Sequence, residues 1–568
     1  MIEVYSETSG GEMLKKPSLV VLLLLFLSTI PQLMLSQEEP QVTVEVNPNL
    51  ELFAVVYILA FNGSDEFIIA PRDYVNDVLT YFAPYANSGA VRLIRDLIPQ
   101  SFSYYVRDRS IRKFARNLVK MPYLGNMSES DPLLTEPYKQ LVKFAKESNF
   151  IQFYNEHKEV YEKAVTPLKE VLPNDIPEKF VKFFGWSYTS YKVELSYSLW
   201  IHPYSEYTRD SAICIMTAQG DHLVRGMVML HEFTHPYINR LMDSHPRIFE
   251  NLTYYVDEVQ RQLPAWTSLD PEPYLNEYYW NELLTESFAV YLAKTSNTSL
   301  MKMARYRELQ DLSLGYYLLD EVVRELKAFE QSKKPGETFS DYLPVLVSHL
   351  KGIANSENVA SYFKRKVPVT QLWFFDRAYS AGRIVIVYGS QNPDKRGNEY
   401  DKETALRLKE HLSALFSTIY DISPSIIIKS DREVTAEDLK ENLILVGGPV
   451  ANNLTKNVQD KMPIKFILNG TWGLKRDPDV VGEFSAFFSR GNTFDALPLS
   501  APIPQEGFGV VEVIRNPWSD KSFILIVAGV DRYSTRRMIE NVKIFSPSYI
   551  IEGDEYIEAG FYTQTGGI

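Results

Sequence analysis

The residues best suited to chemistry form one short segment, His231–His235, which reads His-Glu-Phe-Thr-His. On a helix, residues four positions apart share one face, so the imidazoles of His231 and His235 would project side by side. Two imidazoles placed in this way can bind one Zn²⁺ at about 2.0–2.1 Å. Glu232 lies beside the first histidine and can accept a proton from a metal-bound water. The segment therefore predicts a zinc site with Glu232 as catalytic base; the simpler alternative is a helix whose two histidines are ordinary core residues.

A third zinc ligand must come from another element, because a catalytic zinc site has three protein ligands and one open position. The stretch Trp280–Tyr291 carries two glutamates one helical turn apart, Glu282 and Glu286. One of them can bind the metal while the other orients a ligand histidine through its second ring N–H. We favour Glu286 as the ligand, because the small residues Ser287 and Ala289 allow two helices to approach. Glu282 is the alternative ligand or the orienting carboxylate, and an exposed helix charge is its simplest interpretation.

Pro236 directly follows the second histidine. Proline disfavours helical backbone at the preceding residue and removes a donor, so the helix predicted over His222–Met242 is expected to kink or end there. Tyr237, Ile238 and Leu241 continue an apolar helical face, which favours a kink that tightens the site.

Several elements must position this segment. The sequence predicts strands at Lys192–Ile201 and Ser211–Met216 before it, and one helix over each of the stretches 272–296 and 301–331 after it. We interpret Lys192–Ile201 as an edge strand that can bind an extended peptide. A donor must also face the developing oxyanion. Tyrosine and histidine supply the candidates, each of which can equally be an ordinary core or surface residue: His202, Tyr204, Tyr207, Tyr291, Tyr317 and His349.

These motifs resemble those of the gluzincin metallopeptidases, in which a downstream Glu-small-Phe-Ala segment, here Glu286–Ala289, supplies the third ligand. The separation of 51 positions between His235 and Glu286 is longer than in the zinc aminopeptidases, so no aminopeptidase specificity is inferred. The stretch Val44–Leu52, followed by the His231 motif, also resembles an uncharacterised family of bacterial and archaeal proteins interpreted as metallopeptidases, and this resemblance covers residues 42–365. This resemblance implies a zincin-like fold and a hydrolytic activity.

The pattern changes near residue 366, where β-rich runs begin to alternate with helices; Tyr549–Ile551 is the last predicted strand. Such alternation is typical of an α/β layered domain. Leu445–Asn452 predicts a glycine-rich strand-to-turn corner, but it lacks the Gly-Lys-Ser/Thr of a P-loop. Together with Asn516–Trp518 and Val527–Arg532, it resembles a domain of archaeal surface-layer and other exported proteins. That resemblance implies cell-surface association, and a packing or spacer domain is the alternative.

Composition limits the remaining possibilities. The 568 residues carry a net charge of −13, which argues against a nucleic-acid partner. The single cysteine, Cys214, lies in an apolar stretch and is predicted to be a core residue. Near the N-terminus, Lys15 and Lys16 precede the short apolar run Leu19–Leu27, which predicts a signal peptide over residues 1–36. An uncleaved signal would instead act as a membrane anchor.

The sequence thus predicts an α+β, zincin-like, mostly helical peptidase domain over residues 40–366, followed by an α/β layered domain over residues 380–568. The expected activity is hydrolysis of peptide bonds in a peptide or protein substrate by an exported Zn²⁺ enzyme at the cell envelope. One alternative is a non-catalytic surface protein with a vestigial or structural metal site. The other is a zinc hydrolase that acts on a different amide.

Overall fold

A computed structural model describes residues 41–123, 132–269, 271–419, 423–468, 473–490, 493–503, 507–554 and 556–563. The predicted signal peptide lies outside these ranges. A helical N-terminal region is followed by a C-terminal sheet domain whose first strand begins at Arg383. Among the helices of the described ranges, none combines the length and apolar character needed to span a membrane.

The helical region contains seventeen α-helices within the described residues. In chain order they are α1 (Pro48–Ala60), α2 (Arg72–Tyr81), α3 (Gly89–Leu97), α4 (Tyr104–Leu118), α5 (Pro132–Glu147), α6 (Phe150–Glu156), α7 (Lys158–Val171), α8 (Ile176–Phe184), α9 (His222–Ser244), α10 (Thr253–Gln262), α11 (Pro264–Leu269), α12 (Asn276–Lys294), α13 (Leu300–Ser313), α14 (Leu319–Ser332), α15 (Phe339–Ile353), α16 (Val359–Lys366) and α17 (Gln371–Ala381). Helix α1 is buried all around from Asn49 to Ala60, as expected for a core helix without a polar face.

A four-stranded sheet lies among these helices. Its strands β1 (Gln41–Val46), β2 (Ser190–Ser196), β3 (Tyr204–Tyr207) and β4 (Ser211–Thr217) have the spatial order β1-β2-β4-β3. Strands β1, β2 and β4 are parallel, and β3 pairs antiparallel with β4. The prediction that Lys192–Ile201 forms an edge strand is wrong: β2 ends at Ser196 and pairs on both sides. Most of its residues are buried, as is typical of an interior parallel strand.

Helix α9 carries the His231–His235 segment. It begins after Asp221, whose side chain accepts hydrogen bonds from the backbone N–H groups of Leu223 and Val224 at 2.9 and 3.0 Å. The helix does not end at Pro236 but continues to Ser244. Burial of Tyr237, Ile238 and Leu241 offsets the roughly 3 kcal/mol that an internal proline costs.

Two helices follow where the sequence predicted one over 301–331. Helix α13 ends at Ser313 and α14 begins at Leu319. The break contains Gly315, which has a φ of 104° and no room for a side chain: an added Cβ would lie 2.5 Å from Val259 Cγ1. The single long helix is therefore a wrong prediction, because Gly315 permits a backbone conformation that other residues rarely adopt.

The C-terminal domain is built on a nine-stranded mixed sheet. Its strands are β5 (Arg383–Tyr388), β6 (Ser425–Ser430), β7 (Asn442–Val446), β10 (Phe484–Arg490), β11 (Thr493–Leu497), β12 (Gly509–Arg515), β13 (Phe523–Gly529), β14 (Tyr549–Glu552) and β15 (Ile557–Tyr562), in the order β11-β10-β15-β14-β12-β13-β7-β5-β6. Strands β8 (Ile464–Ile467) and β9 (Gly473–Arg476) form a separate hairpin. Helices α18 (Lys395–Ile419), α19 (Asn453–Val458) and α20 (Arg532–Arg537) complete the domain.

The two halves of this sheet differ. Strands β13, β7, β5 and β6 are parallel, which agrees with the predicted alternation of strands and helices. The other half is antiparallel, and its strand β15 follows Tyr549–Ile551, so that segment is not the last strand. The predicted glycine-rich corner is present after β7, where Gly447 has a φ of 102° and Asn452 caps α19.

Candidate metal centre

The histidines of the motif meet on the face of α9 that packs against α12. The Nε2 atoms of His231 and His235 are 2.9 Å apart, and the two rings are nearly perpendicular. Both side chains keep a small exposed fraction, 14% and 15%. The predicted pair is therefore brought together at a mostly buried site that keeps some contact with solvent.

Glu232 lies within the same group. One ligand atom from each of His231, Glu232 and His235 can be chosen so that all lie within 4.8 Å of one another. Burial, together with the carboxylates of Glu282 and Glu286, raises the pKa of Glu232 to about 7, although the charge of His231 lowers it. A carboxyl group with this pKa is suited to exchange protons near neutral pH.

Helix α12 brings both predicted carboxylates to the histidines, but to different nitrogens. Glu286 Oε1 lies 3.2 Å from Nδ1 of His231. Glu282 faces the other side: its Oε2 is 3.7 Å from Nε2 of His231 and its Oε1 is 3.8 Å from Nε2 of His235. The Glu282 carboxylate thus lies on the Nε2 side of both rings, whereas Glu286 lies at Nδ1 of His231.

The charges of this cluster shift the pKa values of the rings in opposite directions. Burial lowers the pKa of His231, but the adjacent Glu286 carboxylate outweighs it and the pKa rises to about 10. Burial and the charge of His231 lower the pKa of His235 to about 3. These shifts favour one positive charge on the pair at neutral pH, and a metal ion that binds both rings would displace the additional proton.

A partly buried arginine lies next to Glu286. Arg307 on α13 donates from Nη2 to Glu286 Oε1 at 2.5 Å and from Nε to Asp311 Oδ2 at 2.9 Å. Burial raises the pKa of Glu286, but the charges of Arg307 and His231 outweigh it and hold that pKa well below its usual range. Burial and the nearby Glu286 raise the pKa of Asp311, against the opposing effect of Arg307.

The donor set fits Zn²⁺. Two nitrogens bound to one tetrahedral zinc stand about 3.3 Å apart, so the rings would need to separate by only a few tenths of an ångström from 2.9 Å. Within the described residues, the buried Nδ1 of His231 makes no hydrogen bond of good geometry, and Glu286 is its ion-pair partner. A carboxylate on the second ring nitrogen is the usual arrangement for a metal-binding histidine.

The oxyanion candidates are placed in varied surroundings. Tyr204, Tyr291 and Tyr317 donate hydrogen bonds to Arg112 O, Glu330 and Tyr255 O, respectively. His349 pairs with Glu325, while His202 and Tyr207 are exposed. Each stays a candidate.

Sequence reasoning missed three residues near the site: Arg307, Asp311 and Tyr316. The Tyr316 ring stacks on Tyr279 of α12 with centroids 5.5 Å apart. Burial, Tyr274 and the carboxylates of Glu282 and Glu286 raise the pKa of its hydroxyl. Arginine and aspartate four positions apart on a helix are common, so the sequence offered no signal that would have singled out Arg307 and Asp311.

Residues 125–349, which include the whole of this cluster, match a family model described as a domain of unknown function, DUF4932. Residues 420–542 match the outer domain of an S-layer like family. No curated protein matches the chain. These matches agree with the predicted uncharacterised family with a surface-layer-like C-terminal part, and neither description names a peptidase.

The S-layer-like match also bears on location. Such a domain points to a cell-surface or extracellular protein, in agreement with the coarser part of the prediction.

Proposed function

We propose that this chain is an exported zinc metallopeptidase whose active site lies between α9 and α12. The observation that carries the proposal is the convergence of Nε2 of His231, Nε2 of His235 and the Glu282 carboxylate beside the buried Glu232. Imidazoles in this arrangement with one carboxylate are a typical ligand set of catalytic zinc.

Within this proposal, we assign the third ligand to Glu282 and the orienting role to Glu286. The sequence favoured the reverse assignment, which metal-binding measurements on the two variants can test. The distances support Glu282, because it lies on the Nε2 side of both rings, whereas Glu286 lies at Nδ1 of His231. Arg307 already pairs with Glu286 and would compete with a metal for that carboxylate.

The residues divide the chemistry of amide hydrolysis among them. Zinc, when bound, polarises the scissile carbonyl and lowers the pKa of a water molecule. Glu232 takes a proton from the attacking water and returns it to the leaving amine, which balances the addition of water across the C–N bond. Its pKa of about 7 in the metal-free protein suits both transfers.

A peptide or protein is the substrate class that the surroundings favour. The antiparallel strand β3 is one of the two outer strands of the four-stranded sheet and contacts α9. An extended peptide can add to such an edge through main-chain hydrogen bonds. The combination of this sheet with α9 and α12 is the basis for proposing a zincin-like fold.

The activity test compares zinc-loaded wild-type protein with Glu232→Gln on a peptide library and on cell-wall amides, with products identified by mass spectrometry. We expect the wild type to cleave peptides, and Glu232→Gln to retain zinc but lose at least about 100-fold in rate. Glu277→Gln, an exposed change on α12, is the matched control. Cleavage of only the cell-wall amides would support a different amide hydrolase.

A non-catalytic surface protein is the competing proposal, and the S-layer-like match favours it. It would be supported if the zinc-loaded wild type cleaved neither substrate set. Equal rates for wild type and Glu232→Gln would remove Glu232 from the mechanism.

A further inference from the structure

Helix α13 connects the metal centre to the C-terminal domain. One of its residues, Arg307, contacts Glu286, which in turn contacts His231. The next residue back, Tyr306, packs into an aromatic cluster of the C-terminal sheet. Its ring centroid lies 5.3, 5.4 and 5.1 Å from those of Phe487, Phe494 and Phe561, respectively.

Two ion pairs flank this aromatic contact. Lys302 lies 2.6 Å from Asp495, and Arg305 lies 3.4 Å from Glu483. Ion pairs with this much exposure contribute little to stability, so the aromatic cluster is the main attachment. The antiparallel half of the sheet therefore supports α13 at the residue next to Arg307.

Helix α13 also packs closely against α9, the helix that carries His231 and His235. A Cβ added at Gly226 of α9 would lie 2.6 Å from Leu300 Cδ2 at the start of α13. This close approach, together with the Lys294–Glu308 pair at 2.8 Å between α12 and α13, limits how far α13 can shift relative to the two site helices.

We propose that Arg307 is a positioning residue of the metal centre, which fixes His231 through Glu286 and is itself held in place by Asp311 and by the seating of α13 on the C-terminal sheet. This inference rests on the proposed zinc site. It assigns the C-terminal sheet a part in the site rather than the role of a detachable spacer.

The physical reason is that the positive charge of Arg307 compensates the negative charge of the neighbouring acidic side chains of Glu286 and Asp311. Glu286 is 8% exposed, and Asp311 beside it is fully buried. Without Arg307, two neighbouring acidic groups would share a desolvated space, and the Glu286 carboxylate would turn away from His231. Nδ1 of His231 would then lose the acceptor that orients the ring.

The test measures zinc affinity of the full chain by competition with a chromophoric chelator, with zinc alone as the probe. We expect Arg307→Met to bind zinc about 10- to 100-fold more weakly, the usual effect of losing an outer partner of a metal ligand. Arg307→Lys should recover only part of this affinity, because one ammonium cannot reproduce the two directed contacts of the guanidinium. Tyr306→Ala should weaken zinc binding by less than Arg307→Met does.

Arg324→Met is the matched control, since Arg324 is exposed and pairs with Glu321 on α14. The visible absorption of the cobalt-substituted protein is a second readout: Arg307→Met should change the spectrum and Arg324→Met should not. If Arg307→Met fails to fold, Arg307→Lys and Tyr306→Ala carry the test.

The outcomes separate this inference from the proposed function. A wild type that binds zinc while all Arg307 and Tyr306 variants bind it equally well overturns the positioning role and leaves the zinc site intact. A wild type that binds no zinc overturns both.

Discussion

The contact between Glu286 and His231 makes a quantitative prediction about the metal-free protein. Coulomb's law gives about 5 kcal/mol for opposite charges 3.2 Å apart at an effective dielectric constant near 20. The rise in the pKa of His231 from 6.5 to about 10 also corresponds to about 5 kcal/mol. Burial opposes this rise, and Glu232 and Glu282 add to the effect of Glu286. Replacement by Glu286→Gln should therefore lower the pKa of His231 by about 3 to 4 pH units.

The assay is a pH titration of the metal-free protein by NMR with ¹⁵N-labelled histidine, which follows the 8 histidines of the chain. The His231 signals are assigned by their loss in His231→Asn. In the wild type one imidazole should stay charged well above pH 8, and in Glu286→Gln it should become neutral before pH 8. Glu277→Gln should leave the titration unchanged. A wild-type His231 that titrates near pH 6.5 would refute the placement of Glu286 against Nδ1.

Three further predictions concern binding and stability. Glu282→Gln should abolish tight zinc binding, whereas Glu286→Gln should weaken it by about 10- to 100-fold; the opposite ranking in chelator competition would restore Glu286 as the ligand. Burial raises the pKa of Glu194 from 4.5 to about 7. The contribution of this carboxyl to the stability of the folded protein is therefore fully present below pH 4.5 and is lost as the pH rises through 7. Glu194→Gln should therefore raise the free energy of unfolding at pH 8 by up to about 3 kcal/mol but change it little at pH 4.5, as measured by urea unfolding; an equal effect at both pH values would contradict this. Gly315→Ala should destabilise the protein by more than about 1 kcal/mol, because of its positive φ and the contact with Val259, and an unchanged melting temperature would contradict that.

The central residues of the candidate site could be predicted, because their placement depends on spacing along a single helix. Spacing along one helix places His231, Glu232 and His235 together, and spacing along a second helix gives Glu282 and Glu286 a common face. Which carboxylate faces which ring nitrogen depends on how α9 and α12 pack, and no local pattern encodes that. Arg307 was missed for the same reason, since its partner lies 21 residues away on another helix.

Some elements of the fold could likewise be predicted from the sequence, and others could not. The parallel strands of the C-terminal sheet alternate with helices and could be recognised from short apolar runs. The antiparallel strands β10, β11 and β15 were missed for two different reasons. Strand β15 pairs with β10 across more than 60 residues of chain, and no local pattern encodes that pairing. Strands β10 and β11 are separated by only Gly491 and Asn492, so their hairpin had a local signal that was overlooked. The break between α13 and α14 depends on a single residue, Gly315, within a stretch whose apolar spacing is helical throughout.

The most direct test of the zinc site is the metal content of the purified chain after equilibration with zinc and removal of excess metal. The account predicts one tightly bound zinc per chain in the wild type and none in His231→Ala or His235→Ala. A correctly folded wild-type protein that retains no zinc would contradict it.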